Sequence, residues 1–81
     1  MRMSAQFVGK KVGLSTASVY KMWSDMDLIK KNKFGNWSIT DLGRVNGGKM
    51  SNSKNPVPTF NFDVIELMMI DFYNSKQRRW L

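Results

Sequence analysis

Apolar residues recur at helical spacing in two short stretches near the start of the chain, separated by a glycine. Ala5, Val8 and Val12 would form the inner face of a first helix, and Ser4 stands at its N-cap position. Gly13 ends that helix, because glycine adopts the left-handed conformation at little cost. Leu14 is expected to plug the turn, and Ser15 to cap a second helix running from Thr16 to about Met26. Val19, Met22, Trp23 and Met26 fall at i, i+3, i+4 and i+7 and make a single apolar stripe. The other face carries Ala17, Ser18, Tyr20, Lys21 and Ser24, side chains that are short or hydrogen-bonding, with one cation. A sparse face of this kind can approach another molecule closely.

The pattern then changes period. Leu28 to Lys33 and Trp37 to Ile39 read as two extended runs around a Gly35-Asn36 turn, which predicts a β-hairpin with Trp37 and Ile39 facing inward. Thr40 or Asp41 can cap a short helix to Val45, stopped by Asn46-Gly47-Gly48. Residues Lys49 to Thr59 hold both prolines and no apolar periodicity, and are expected to form a mobile loop. Phe60 and Phe62 suggest a short extended piece. Asn61 or Asp63 can cap a last helix from about Val64 to Lys76, and the basic tail from Lys76 to Leu81 is expected to fray.

The last helix is apolar around nearly its whole circumference, interrupted only by Glu66 and Asp71. Such a helix must be covered on more than one side. The expected second cover is another copy of the chain, packed on Ile65, Met69, Phe72 and Tyr73 in a homodimer; the alternative is that Lys49 to Phe62 wraps over it within one chain.

Composition narrows the chemistry. With 81 residues, the chain has room for one domain and one modest core. Thirteen Lys and Arg against six Asp and Glu give a net charge of +7, which makes a polyanion the default partner, nucleic acid ahead of anionic lipid. Cysteine and histidine are absent, so no disulfide can form, and neither a metal nor another cofactor is expected. The carboxylates Asp25, Asp27, Asp41, Asp63, Glu66 and Asp71 show no paired-acid spacing, and the glycines no phosphate-binding fingerprint, so an enzyme is not expected. The opening residues do not read as a signal peptide, and Val64 to Ile70 is too short to span a bilayer. The expectation is a cytoplasmic protein. Trp23 and Trp37 read as core residues more readily than as stacking platforms. Lys30, Lys31 and Lys33 either guard an edge hairpin or meet phosphates.

One constellation carries more. Gly9 is a small residue in the middle of the first helix, Gly13 follows four residues on, and Val8, Val12, Leu14, Val19 and Met22 occupy positions that bury a helix pair. A bulky side chain at Gly9 would hold two steeply crossing helices apart. Together with the basic hairpin and its Trp37, this arrangement resembles the winged helix-turn-helix family. The run Gly35-Asn36-Trp37-Ser38-Ile39-Thr40-Asp41-Leu42-Gly43 is similar to the end of the hairpin in DNA-binding modules of phage antirepressors and other small phage-encoded regulators. The resemblance covers Ser4 to Gly43, about half the chain.

It implies a mainly α fold with a small hairpin, a winged helix-turn-helix core over residues 1–48; the segment after Gly48 lies outside the resemblance, and the residue pattern alone adds a loop over 49–59 and a C-terminal helix within 60–81. The resemblance further implies a double-stranded DNA partner in a bacterial host, with Thr16 to Met26 in the major groove. Ser15 and Thr16 would offer the helix N-terminus to a phosphate, Ala17 would meet a thymine methyl, and Lys21 a guanine edge or phosphate. Tyr20 and Ser24 would face the groove, and Lys10, Lys11, Lys30, Lys31 and Lys33 the flanking backbone. The competing reading is a winged-helix scaffold that binds a protein partner, for instance to block a host nucleic-acid enzyme.

Overall fold

The computed structural model describes residues 1–78. The expected fraying of the tail at Arg79, Trp80 and Leu81 falls outside the described residues. The elements run β1 (Arg2–Ser4), α1 (Ala5–Val12), α2 (Thr16–Asp25), β2 (Ile29–Lys31), β3 (Trp37–Ile39), α3 (Asp41–Val45), β4 (Lys49–Met50), β5 (Pro58–Asn61) and α4 (Phe62–Arg78). About half the chain is helix and about a fifth is strand.

The α1–α2 crossing depends on Gly9. A Cβ built there would collide with the Leu14 carbonyl oxygen and stand 3.4 Å from Val19 Cγ2. Gly13, at φ 77°, turns the chain, and its N–H and that of Leu14 both donate to the Gly9 carbonyl. Ala5 and Val8 are buried against Val19 and Trp23 in the core. Ser4 occupies the N-cap position of α1, but its side chain makes no capping hydrogen bond. Leu14 is more exposed than a plug would be. Asp27, at φ 63°, closes α2 in the left-handed region, and the Leu28 N–H reaches back 3.0 Å to the Trp23 carbonyl.

β2 and β3 pair antiparallel, with Ile29 opposite Ile39 and Lys31 opposite Trp37. The turn is longer than the sequence suggests. Asn32 closes it from one side: its Oδ1 accepts from the N–H groups of Phe34 and Asn36 at 2.9 and 3.1 Å, and Gly35 takes the positive φ. This is a three-residue hairpin loop with glycine at the left-handed position.

The second sheet departs from the sequence reading. β1, β5 and β4 form three antiparallel strands in that order. The stretch 49–59, expected as one loop, is therefore strand at both ends, and only 51–57 is irregular. Arg2 fastens the sheet, since Nη1 donates to the carbonyls of Gly47 and Thr59 at 2.8 and 3.1 Å.

The core joins both sheets to the helices. Trp23 is fully buried, meets Phe60 edge to face at 4.9 Å, and donates from Nε1 to Met69 Sδ at 3.4 Å. Leu28, Ile29, Ile39 and Ile65 complete it. Truncating an aromatic residue so placed costs about 3–5 kcal/mol.

Candidate nucleic-acid interface

The outer face of α2 is built by default. Val19 and Trp23 anchor one side in the core, so 3.6-residue periodicity turns Ala17 and Lys21 to the other. Thr16, Ala17, Ser18 and Lys21 are exposed. Ser24 is half-buried. The Ser15 hydroxyl accepts from the Ser18 N–H at 3.1 Å and donates to Ser18 Oγ at 2.9 Å. That hydroxyl is thus engaged in the cap, and the first-turn N–H groups remain the anion-directed feature of this end.

Lys21 is exposed on this face, as expected, and its Nζ lies 3.3 Å from Asp25 Oδ2, one turn on. Both groups are solvent-accessible, so the pair is worth only about 0.3–0.5 kcal/mol. Asp25 nonetheless places a carboxylate on the face assigned to an anion. The expectation for Tyr20 needs correction, because it does not project outward. Its half-buried ring stacks on Trp37 at 5.4 Å and 21° and meets the edge of Trp23 at 6.3 Å. Burial pushes the Tyr20 phenol above its usual value of 10.0. Tyr20 therefore works as the joint between α2 and the hairpin, on the edge of the helix where periodicity alone cannot assign a side.

The hairpin carries exposed Lys30, Lys31 and Lys33. Lys31 Nζ sits 4.9 Å above the Trp37 ring and Lys33 Nζ 5.2 Å from the Phe34 ring centroid. Trp37 is half-buried between Tyr20 and Lys31. On α1, Lys10 and Lys11 are exposed, and Lys10 lies over Phe7. Phe34 was not singled out by sequence. It is 76% exposed at the tip of the hairpin, held by the Asn32 bonds to its own N–H and that of Asn36. An apolar ring between lysines just before a turn glycine was the available signal.

A groove of about 390 Å³ runs between α2 and α4, lined by Ser18, Lys21, Met22, Phe72, Tyr73 and Lys76. The residues expected to form a dimer contact divide here. Ile65 and Met69 are core residues, covered by Trp23, Phe60 and their neighbours, and are not free to meet another chain. Phe72 is half-buried and Tyr73 exposed. Among the described residues, no group of three or more His, Cys, Asp or Glu could hold a metal ion, and no helix is long and apolar enough to cross a membrane. No protein-family model, curated protein or solved structure matches this chain.

Proposed function

We propose that the chain is a winged-helix, sequence-specific regulator that binds double-stranded DNA, of the kind phages encode, with α2 in the major groove and the β2–β3 hairpin on the flanking backbone. The observation that carries this reading is the outer face of α2. It is small at Thr16, Ala17 and Ser18, bears one cation at Lys21, and is braced from behind by the Gly9 crossing and from the side by the Tyr20–Trp37 stack. A rigid, shallow helix face can seat deeply enough in the major groove to reach base edges. Lys30, Lys31 and Lys33 supply the sequence-independent attraction, and the net charge of +7 adds long-range steering. If about six cations neutralise phosphates, log K falls with log salt at a slope of about −5.

Selection from a random duplex library tests this. The expected result is one enriched motif whose binding weakens steeply with salt.

A second reading has a specific observation in its favour. Asp25 on the α2 face repels phosphate and suits a cationic protein surface, as in a scaffold that blocks a host nucleic-acid enzyme. Failure to retain any duplex at ~50 mM salt, where phosphate contacts are strongest, would favour that protein partner.

A further inference from the structure

The ring of Phe34 does no work in the fold. It projects into solvent at the tip of the β2–β3 hairpin and belongs neither to the core nor to the layer packed on it. The tip that carries it is nonetheless held firmly. Asn32 Oδ1 accepts from the N–H groups of Phe34 and Asn36. The Asn32 N–H donates to the Asn36 carbonyl at 2.8 Å, and the Gly35 N–H to the Asn32 carbonyl at 3.0 Å. All of these bonds come from main chain and from Asn32. A polar residue at position 34 would make them equally well and would suit a turn better. The frame therefore displays a phenyl group that the turn itself does not need.

The surroundings select a partner. Residues 28–40 hold Lys30, Lys31 and Lys33 and no carboxylate, and residues 49–58 hold Lys49 and Lys54 and again none. Lys54 lines a cleft of about 510 Å³ beside the hairpin, together with Asn32, Asn36 and Trp37. An apolar ring rimmed by cations matches a surface on which anionic groups border an apolar interior. A duplex groove and a lipid bilayer both answer that description. The size of the apolar group decides between them. Beside Phe34 the tip offers Asn32, Gly35 and Asn36, so a single phenyl would enter a bilayer, less than stable anchoring requires. One ring does suffice to open the gap between two base pairs. Continuity points the same way, because the Tyr20–Trp37 stack joins the hairpin to α2.

We propose that Phe34 is a wedge for duplex DNA. With α2 in the major groove, the hairpin tip enters the adjoining minor groove, and Lys31 and Lys33 meet the phosphates that border it. The ring enters one base step, unstacks it in part and bends the duplex toward the major groove. This inference rests on the DNA reading and extends it to a step at which the chain makes no base hydrogen bond. Pyrimidine–purine steps unstack most readily, so a TA or CA step beneath the tip is preferred over a stiffer one.

The test uses the full chain and duplexes carrying its selected motif. A fluorescent adenine analogue, brighter when unstacked, is moved step by step along the flank, and dyes at the two ends report bending. The wild type is expected to brighten the analogue at one flanking step and to bend the duplex by about 20° or more. Phe34→Ala is expected to abolish both signals and to weaken binding about ten-fold, the size of one lost aromatic–base contact. Its circular dichroism spectrum is expected to be unchanged, since the ring is exposed. Phe34→Leu, still an apolar wedge, is expected to keep the bend. A wild type that binds the motif without unstacking or bending it, or a Phe34→Ala variant that bends it equally, overturns the wedge and leaves the DNA reading standing. A wild type that retains no duplex overturns both. Phe34-dependent sedimentation with phosphatidylserine vesicles, in place of duplex binding, would give the tip to lipid and likewise overturn the proposal.

Discussion

The Thr40 hydroxyl donates a 2.6 Å hydrogen bond to the main-chain carbonyl of Asp27 while accepting one of 2.9 Å from the Gly43 N–H. One buried oxygen thus caps α3 and ties it to the residue that closes α2. The Thr40 N–H adds a bond to the Leu28 carbonyl at 3.1 Å. Through these three bonds, the end of the hairpin is held against the end of the helix proposed to enter DNA.

Replacing Thr40 by Val removes the cap, worth about 0.5–2 kcal/mol. It also leaves the Asp27 carbonyl without its side-chain partner, at a further cost of up to about 1–3 kcal/mol. The expected loss is about 2–3 kcal/mol in urea unfolding, with Thr40→Ser retaining most of the stability. Equal stability of the Val and Ser variants would show that the hydroxyl contributes nothing.

Gly9→Ala isolates the helix crossing. On an open helix, alanine would gain about 1 kcal/mol over glycine. Here the new Cβ meets the Leu14 carbonyl oxygen, main chain that cannot swing aside. Overpacking of this kind costs about 1–3 kcal/mol. The variant is expected to unfold at lower urea than the wild type, and unchanged or increased stability would mean that the two helices do not meet there.

Asp27→Gly should act in the opposite direction. The left-handed backbone costs a residue with a side chain about 1–2 kcal/mol. Glycine avoids that cost but loses about 0.5–1 kcal/mol through the entropy of the unfolded chain. The Asp27 carbonyl bond to Thr40 is main chain and survives the change. A net gain of about 0.5–1 kcal/mol is expected from thermal unfolding; a loss would show that the Asp27 side chain has a stabilising role of its own.

Much of this arrangement was legible in the sequence. α1, α2 and α3 are bounded by Gly13, Ser15 and Thr40, whose turn and cap chemistry is local, and the hairpin was legible as a hairpin although Asn32 makes its turn longer than the Gly35-Asn36 pair suggests. The three-stranded sheet was not legible, because β1, β4 and β5 are two to four residues long and too short to show alternation. Their pairing joins the start of the chain to residues nearly sixty positions away. Within α4, an apolar residue at almost every position erases the periodic contrast that separates inside from outside. Trp23 and Phe60 decide it by claiming Ile65 and Met69. Tyr20 lies on an edge of its helix, and only the approach of Trp37 determines which way it faces.

Asp25 offers a test of the polarity of the α2 face. Its carboxylate holds Lys21 in a weak pair and repels an approaching phosphate. Asp25→Asn is expected to tighten duplex binding about three- to ten-fold at low salt, with the gain shrinking as salt screens it. Fluorescence anisotropy across a salt series measures this. Weaker binding would mean that Asp25 itself accepts a hydrogen bond from a base.

The most direct test compares Lys21→Ala with Lys31→Ala on the selected duplex and on random duplex. Loss of a base contact at Lys21 is expected to cost the selected site about 1–3 kcal/mol while sparing random DNA. Loss of a backbone contact at Lys31 is expected to weaken both duplexes alike and to flatten the salt slope by about one. If both variants bind both duplexes as the wild type does, α2 and the hairpin do not form a DNA-reading surface.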